Sequence, residues 1–381
     1  MVRSLRNVLV VFGTRPEAIK LAPVVTALQE DGRFNVTVCS SGQHRDMVRP
    51  VCDLFGITID HDLDVMQPGQ TIDYITAAIL QKLPAVFEAT QPEIVIVQGD
   101  TTTAFAAALS AFYRNIKIAH VEAGLRTNNL QSPWPEEGNR ALISRIAEYH
   151  FAPTRASYDN LLAESARGQL LVTGNTVVDA AASASHRIAG VREKEIGLRL
   201  GITGFDRNRI LFTMHRRESF GEPVERVFRA LLSIAQSHDV EILFPVHPNP
   251  NITEPARRLL GTQPNIRLLT PLEYDELIFA LKHARLLITD SGGLAEEAPT
   301  FNTPTLILRE NTERAESVDT GGAVLVGYDT ARLEALTAEL LSDGDLYRTM
   351  SAAPNPFGDG LASRRIAACL SGSPADIAEA A

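Results

Sequence analysis

Short apolar runs alternate with helical patterns from one end of this chain to the other, and that alternation restricts it to a doubly wound α/β architecture. Strands are expected at 8–12, 36–40, 94–98, 117–121, 149–152 and 170–173, with helices between them, most clearly at 17–30, 71–89 and 102–113. The pattern then restarts, with strands expected at 210–214, 241–245, 266–269, 286–289, 305–308 and 324–326. Residues 180–200, Ala/Ser-rich and then charged, carry no strand character. A chain of 381 residues is long for a single hydrophobic core. Two α/β domains are therefore expected, residues 1–178 and 179–356, facing one another across a cleft. A helix near 363–370, within a tail of 357–381, is expected to pack back on the first domain.

In open parallel sheets, ligands bind beyond the carboxyl ends of the strands. The chemistry should therefore lie where strands end. The stretch 94–140 is the richest: one strand ends in Gly99-Asp100, the next in Glu122-Ala123-Gly124, and a proline-framed loop delivers Pro135-Glu136-Glu137. Three acidic clusters with Arg126 or Arg140 nearby suggest a reaction chamber. Gly13-Thr14-Arg15-Pro16-Glu17 follows the first strand, with Arg15 placed for a phosphate or carboxylate, or simply solvated. In the second half, His215-Arg216-Arg217 follows a strand and suits a diphosphate, with His215 a possible proton donor. Ser291-Gly292-Gly293 lets the backbone approach an anion closely, and a carboxylate one helical turn on could accept ribose hydroxyls. Ser291 could equally be a plain N-cap. The loop 309–314, with Arg314, either lines the same pocket or forms a salt-bridged turn.

Other segments exclude or remain open. No GxGxxG turn occurs, which argues against a nicotinamide cofactor. Asp60, Asp62 and Asp64 have DxD spacing but read as a solvated loop with no strand leading into it, so no metal is expected. Loops carrying Gln43, His44 and Arg45, and Gln67 and Gln70, provide either a second ligand contact or ordinary caps. A net charge of −10 disfavours nucleic acid and anionic membrane as partners. No run approaches the roughly 20 apolar residues of a membrane span. Arg3 and Arg6 precede an apolar run too short for a signal peptide. Three dispersed cysteines, Cys39, Cys52 and Cys369, without CxxC spacing suit a reducing cytoplasm.

Taken together, GTRPEAIKLAP, QGDTTT, HVEAGLRT, SPWPEEGNR, GNTVVD, HRRES, HPNPN, TDSGG and NPFGDG, in this order across nearly the whole chain, resemble the non-hydrolysing UDP-N-acetylglucosamine 2-epimerase family. The resemblance implies two Rossmann-like domains of the glycosyltransferase-B type. It also implies interconversion of UDP-N-acetylglucosamine and UDP-N-acetylmannosamine without a cofactor, in the service of surface polysaccharide synthesis. It carries active-site roles onto Arg15, Asp100, Glu122, Glu136 and His215, with Lys20, Arg140 and Arg314 among the substrate contacts. Ser291, Gly292, Gly293 and Glu297 match its UDP-binding positions, with Glu297 on the ribose. Gln43, His44, Arg45, Gln67 and Gln70 match segments that bind a second, activating UDP-N-acetylglucosamine. A homodimer is expected. Ala295 stands where the family pattern has Gln, and Ala315 where it has Pro; neither touches the carboxylates.

The C2 proton of such a sugar is barely acidic. Oxidation at C3 would activate it but needs a hydride acceptor. The alternative expels UDP, gives 2-acetamidoglucal, and re-adds UDP with protonation on the other face. Asp100, Glu122 and Glu136 are the candidate acid/base groups, with their division of labour open. Rival readings are a hydrolysing relative that releases N-acetylmannosamine and UDP, a glycosyltransferase of the same fold, and a non-catalytic sensor.

Overall fold

Parallel strands covered by helices on both sides must be apolar on both faces, and β1 (Arg6–Phe12) shows it: Val8 to Phe12 are all buried. The computed structural model describes residues 5–202, 208–312, 314–342 and 344–372. Arg3, Glu313 and the tail beyond 372 lie outside the described residues. Contacts divide the chain into two compact units, residues 1–183 with 357–381, and residues 184–356.

In the first unit β1 is followed by α1 (Arg15–Asp31), β2 (Phe34–Ser40), α2 (Arg45–Phe55), β3 (His61–Asp62), α3 (Ile72–Thr90), β4 (Ile94–Gln98) and α4 (Thr102–Phe112). Then come β5 (Lys117–Val121), α5 (Glu136–Ile146), β6 (Tyr149–Ala152), α6 (Arg155–Ala163), β7 (Gln169–Val172) and α7 (Thr176–Ile188). The seven strands are ordered β3-β2-β1-β4-β5-β6-β7, with every neighbouring pair parallel. Strand order therefore reverses between β1 and β4. Helix α4 presents Ala104, Ala107, Ala108 and Ala111 to the core that holds Leu9, Val11, Val95 and Val97. Small side chains let its backbone lie close to the sheet and bring its first turn to the ends of β1 and β4.

The second unit begins with the end of α7 and runs α8 (Val191–Arg199), β8 (Arg209–Thr213), α9 (Glu222–Ser237), β9 (Glu241–Pro245), α10 (Pro250–Leu260), β10 (Ile266–Leu269) and α11 (Tyr274–Lys282). It continues with β11 (Leu286–Thr289), α12 (Gly292–Glu297), β12 (Thr305–Ile307), α13 (Ala315–Asp319), β13 (Ala323–Leu325), α14 (Thr330–Leu341) and α15 (Asp345–Ser351). Its six strands take the order β10-β9-β8-β11-β12-β13, so the reversal falls between β8 and β11. Phe212, Phe228 and Phe244 form its aromatic centre; the Phe212 and Phe244 rings meet edge to face at 4.6 Å.

After residue 356 the chain rejoins the first unit as α16 (Ala362–Ser371), packed on α1. Asp179 caps it, accepting the N–H groups of Ala362 at 3.2 Å and Ser363 at 2.8 Å. At the other end Arg6 donates to the Leu370 carbonyl.

The fold class expected from sequence, two doubly wound Rossmann-like domains, is what the structure has. One strand was not expected. His61 and Asp62 pair with Cys39 and Ser40 as the edge strand β3, inside the stretch read as a plain loop. Two residues are too few for a period-two pattern to register. Contacts put the division between the units at 183/184, inside α7, whereas the sequence reading places it at 178/179. A helix running through a boundary carries no compositional break there. No helix among the described residues is long and apolar enough to cross a membrane.

Candidate functional site

Both sheets reverse strand order, and many of the residues singled out from sequence lie at or beside those two points. In the first unit the turns after β1 and β4 are drawn together. Gly13 sits where a Cβ would lie 2.1 Å from Ser41 Oγ and 2.4 Å from Thr103 Oγ1, so only glycine lets the loops after β1, β2 and β4 meet. Thr14 and Glu17 form a capping box that starts α1 and directs Arg15 into its first turn. Buried Glu17 also accepts the Thr101 hydroxyl at 2.7 Å, across from the β4 turn.

Asp100, Glu122 and Glu136 lie at neighbouring strand ends and at the start of α5. Asp100 Oδ2 accepts Arg140 Nε at 2.7 Å, and Arg140 Nη1 donates to Glu137 Oε2 at 2.7 Å. The Asp100 carbonyl accepts the Asn139 amide at 2.8 Å. Two residues of α5 thus hold the β4 turn. Glu137 Oε1 also accepts the N–H groups of Thr127 and Asn128 at 3.0 Å, tying the proline-framed loop to the same arginine. Glu122 has φ +62°, a strained backbone for a non-glycine residue, and pairs with Lys20 one turn into α1. Both of these charges are buried. Gly124 follows at φ +88°, where a Cβ would lie 2.1 Å from the Ser157 carbonyl oxygen. Glu136 Oε2 is buried without a hydrogen-bond partner, beside the paired Glu137.

Beneath the acidic residues, His120 on β5 bonds the Gly99 carbonyl through Nε2 at 2.7 Å. Burial pushes its imidazole down to about 3, so it stays neutral and Nε2 carries the proton it donates. Arg126 is directed elsewhere: it pairs with Glu164 at 2.7 Å and donates to Ser144 Oγ at 2.8 Å. Of the two arginines considered from sequence, Arg140 is the one at the carboxylates.

The loop after β2 reaches the same turns. His44 N–H donates to the Gly13 carbonyl at 2.9 Å, and Thr103 Oγ1 donates to Gln43 Oε1 at 2.9 Å. Arg45 pairs with Asp64 at 2.9 Å and Asp62 at 3.3 Å, which accounts for two of the acidic residues with DxD spacing. The third, Asp60, accepts Val38 N–H at 2.8 Å. Gln70 accepts the Gln67 N–H at 3.3 Å, so these two bond to each other rather than to the Gln43–Arg45 loop.

In the second unit Thr213 and Thr289, opposite each other at the ends of β8 and β11, share a 2.6 Å hydroxyl bond. Fully buried Asp290 accepts the N–H groups of His215 and Arg216 at 2.8 Å and lies 3.2 Å from His215 Nδ1. Burial alone would raise its carboxyl. The His215 contact and the two N–H bonds outweigh that and hold it below the ordinary carboxylate range. Asp290 thus turns the Nδ1 edge of the ring inward, which leaves Nε2 as its outward atom, and the His247 ring stacks on it at 5.9 Å. Ser291 is the N-cap of α12. Arg314 lies against Gly292 and pairs with Glu296 at 2.7 Å. Glu296 and Glu297 are both buried. Ala295 packs with Ile307 and Ala323 in a small apolar cluster, and Ala315 is the first residue of α13.

Sequence reasoning gave no role to Glu17, Thr101, His120 or Asp290, and named Glu137 only as part of the acidic cluster after Pro135. Glu17 had a signal, three residues after Thr14, but it signals only a cap. His120 and Asp290 act through main-chain groups, which residue type and spacing do not reveal.

A family model described as UDP-N-acetylglucosamine 2-epimerase matches residues 26–371. The UDP-N-acetylglucosamine 2-epimerase of Escherichia coli O157:H7 is 47% identical over 368 residues, covering 96% of this chain and 98% of that one. The crystal structure of the Neisseria meningitidis UDP-GlcNAc 2-epimerase bound to UDP-GlcNAc superposes with a TM-score of 0.89 at 41% identity, over 96% of this chain and 100% of that one. A Methanocaldococcus jannaschii UDP-GlcNAc 2-epimerase in complex with UDP-GlcNAc and UDP gives a TM-score of 0.80 at 30% identity, again over 96% and 100%. With this similarity along nearly its whole length, the chain belongs to the UDP-N-acetylglucosamine 2-epimerase family.

Proposed function

We propose that this chain interconverts UDP-N-acetylglucosamine and UDP-N-acetylmannosamine by eliminating and re-adding UDP, without releasing free sugar. One observation carries the proposal: at the reversal point of the first sheet, two carboxylates are each held by a largely buried cation, Asp100 by Arg140 and Glu122 by Lys20. Acid/base work on two faces of a sugar needs at least two such groups, each fixed. Glu136, with one buried carboxylate oxygen unbonded, is the third candidate.

The groups of the second unit suit the leaving diphosphate. His215, oriented by Asp290, and the Ser291, Gly292 and Gly293 main chain supply donors, Arg314 supplies charge, and Glu297 is assigned to the ribose. Arg15, at the start of α1, is assigned to the substrate as a further cation. As the C1–O bond breaks, the electron pair leaves with UDP, and the positive charge left at C1 makes the C2 proton acidic. A carboxylate removes that proton to give 2-acetamidoglucal. UDP then adds back at C1 while a proton is delivered to the opposite face of C2. No electrons are exchanged with a partner.

Turnover of UDP-N-acetylglucosamine in deuterated water tests the reading. Deuterium at C2 of both epimers, with no free sugar, is the expected result. Free N-acetylmannosamine would establish the hydrolysing reaction instead, and turnover only with an added acceptor would establish a transferase.

Three further assignments accompany the proposal. Gln43, His44, Arg45, Gln67 and Gln70 are assigned to an activating UDP-N-acetylglucosamine; the bonds from Gln43 to Thr103 and from His44 to Gly13 support that role. A homodimer is proposed because the end of α4, with its C-cap Tyr113, and the neighbouring α5 expose Phe112, Tyr113 and Leu142; light scattering after size exclusion tests it. The cytoplasm is proposed as its location because all three cysteines are buried and unpaired.

A further inference from the structure

Glu17 makes more bonds than its local role requires. A capping box needs one side-chain oxygen reaching back to the N-cap, and glutamine serves there as well as glutamate. Oε2 fills that role, accepting Thr14 N–H at 2.8 Å, Thr14 Oγ1 at 2.8 Å and Gly13 N–H at 3.1 Å. Oε1 is directed out of the helix to Thr101 Oγ1 at 2.7 Å. Thr101 follows Asp100 and caps α4 by accepting Ala104 N–H at 3.0 Å. A single buried carboxylate therefore bridges the two turns at which strand order reverses. One turn leads to Arg15 and the other carries Asp100. Two main-chain N–H groups and two threonine hydroxyls thus engage both oxygens of the carboxyl. The fold keeps this carboxyl although burial pushes it up to about 7, an environment in which its ionised form is disfavoured.

We infer that Glu17 is a positioning residue that ties the Arg15 turn to the Asp100 turn, fixing the separation of the Arg15 cation and the acid/base carboxylate. The inference rests on the epimerase reading. Its content is that the Thr101 bond matters for the reaction and not only for the cap of α1.

The variants Glu17→Gln and Glu17→Asp separate the two roles. Gln keeps the capping box and the reach but offers one acceptor oxygen instead of two. Asp is one methylene shorter and loses Thr101. With the bridge broken, kcat of Glu17→Asp should fall on the order of 10–100-fold, as expected for a misplaced reacting group. Glu17→Gln should lose only several-fold. KM and the affinity for UDP should shift less than kcat in either, because only the Arg15 turn is disturbed and the UDP groups assigned in the second unit are untouched. Should Glu17→Asp not fold, Thr101→Val cuts the same bond from the other side, at the expense of the α4 cap, and should show the same loss in kcat. A Glu17→Asp enzyme with wild-type kcat, or a kcat loss that merely follows the melting temperature, overturns the inference alone. A wild-type enzyme that does not epimerise UDP-N-acetylglucosamine overturns the functional reading and this assignment with it.

Discussion

Arg140 holds Asp100 through Nε at 2.7 Å while its Nη1 holds Glu137 at the same distance. The guanidinium is almost wholly buried, with 5% of its side chain exposed. A planar fork can serve two carboxylates in fixed directions; an ammonium on a flexible stem cannot. Arg140→Lys should therefore keep the charge and lose the geometry. The expected outcome is a fall in kcat of about 100-fold with little change in KM, since misplacement of a reacting group acts mainly on the chemical step. Steady-state kinetics on UDP-N-acetylglucosamine, at a temperature where the variant is folded, checks this.

Asp290 presents a second case of a carboxylate that acts through another group. It accepts the main-chain N–H groups of both His215 and Arg216 and lies beside His215 Nδ1. Asn at this position has the same shape but offers an amide to one side. The ring would lose its orienting charge, and its Nε2 would no longer be held toward the diphosphate. UDP affinity should weaken by about 10–100-fold in Asp290→Asn, matching the roughly 1–3 kcal/mol of a charged hydrogen bond left imperfect. Calorimetric titration with UDP measures it, and unchanged affinity would remove His215 from the diphosphate site.

These two residues also mark how far the sequence could be read. Every strand end that carries a candidate group was legible, because apolar runs such as residues 94–98 stop at Gly-Asp or Glu-Ala-Gly. Strand order was not: Arg140 meets Asp100 across 40 positions of chain, and only the sheet order β1-β4-β5 brings α5 over the β4 turn. Arg126 and Arg140 looked alike in the sequence, yet one braces Glu164 and the other Asp100. Asp290 was visible as a residue of the TDSGG motif, but its bonds go to the main chain of a different strand end. Pairing across the sheet decides such contacts, and residue spacing does not encode it.

Glu17 gives a pH dependence of stability with a definite sign. Its carboxyl is raised from the ordinary 4.5 to about 7 by burial, against the pull of the Thr101, Thr14 and Gly13 bonds. The native state therefore holds a proton that the unfolded chain has released. The stabilisation is fully present below the unfolded value and is lost as pH rises through the folded one. Unfolding free energy should decline between about pH 4.5 and 7 by up to ~3 kcal/mol from this group. Urea unfolding across that window measures the slope, and Glu17→Gln, which has no proton to lose, should flatten it.

Lys20 and Glu122 offer a test in which stability and activity separate. Both side chains are about nine-tenths buried and face each other as an ion pair. Removing one partner of a buried ion pair costs about 3–5 kcal/mol. Lys20→Met should thus lower the unfolding free energy by about that amount, and Glu122→Gln by a similar or smaller one. The double variant removes both charges of the pair, and its two losses should not add; most of the stability should return, giving a coupling energy of about 2 kcal/mol or more. Activity should not return with it. If Glu122 moves a proton at C2, every variant lacking its carboxylate stays without turnover however stable it is, whereas a double variant that regains both would make the pair a structural brace.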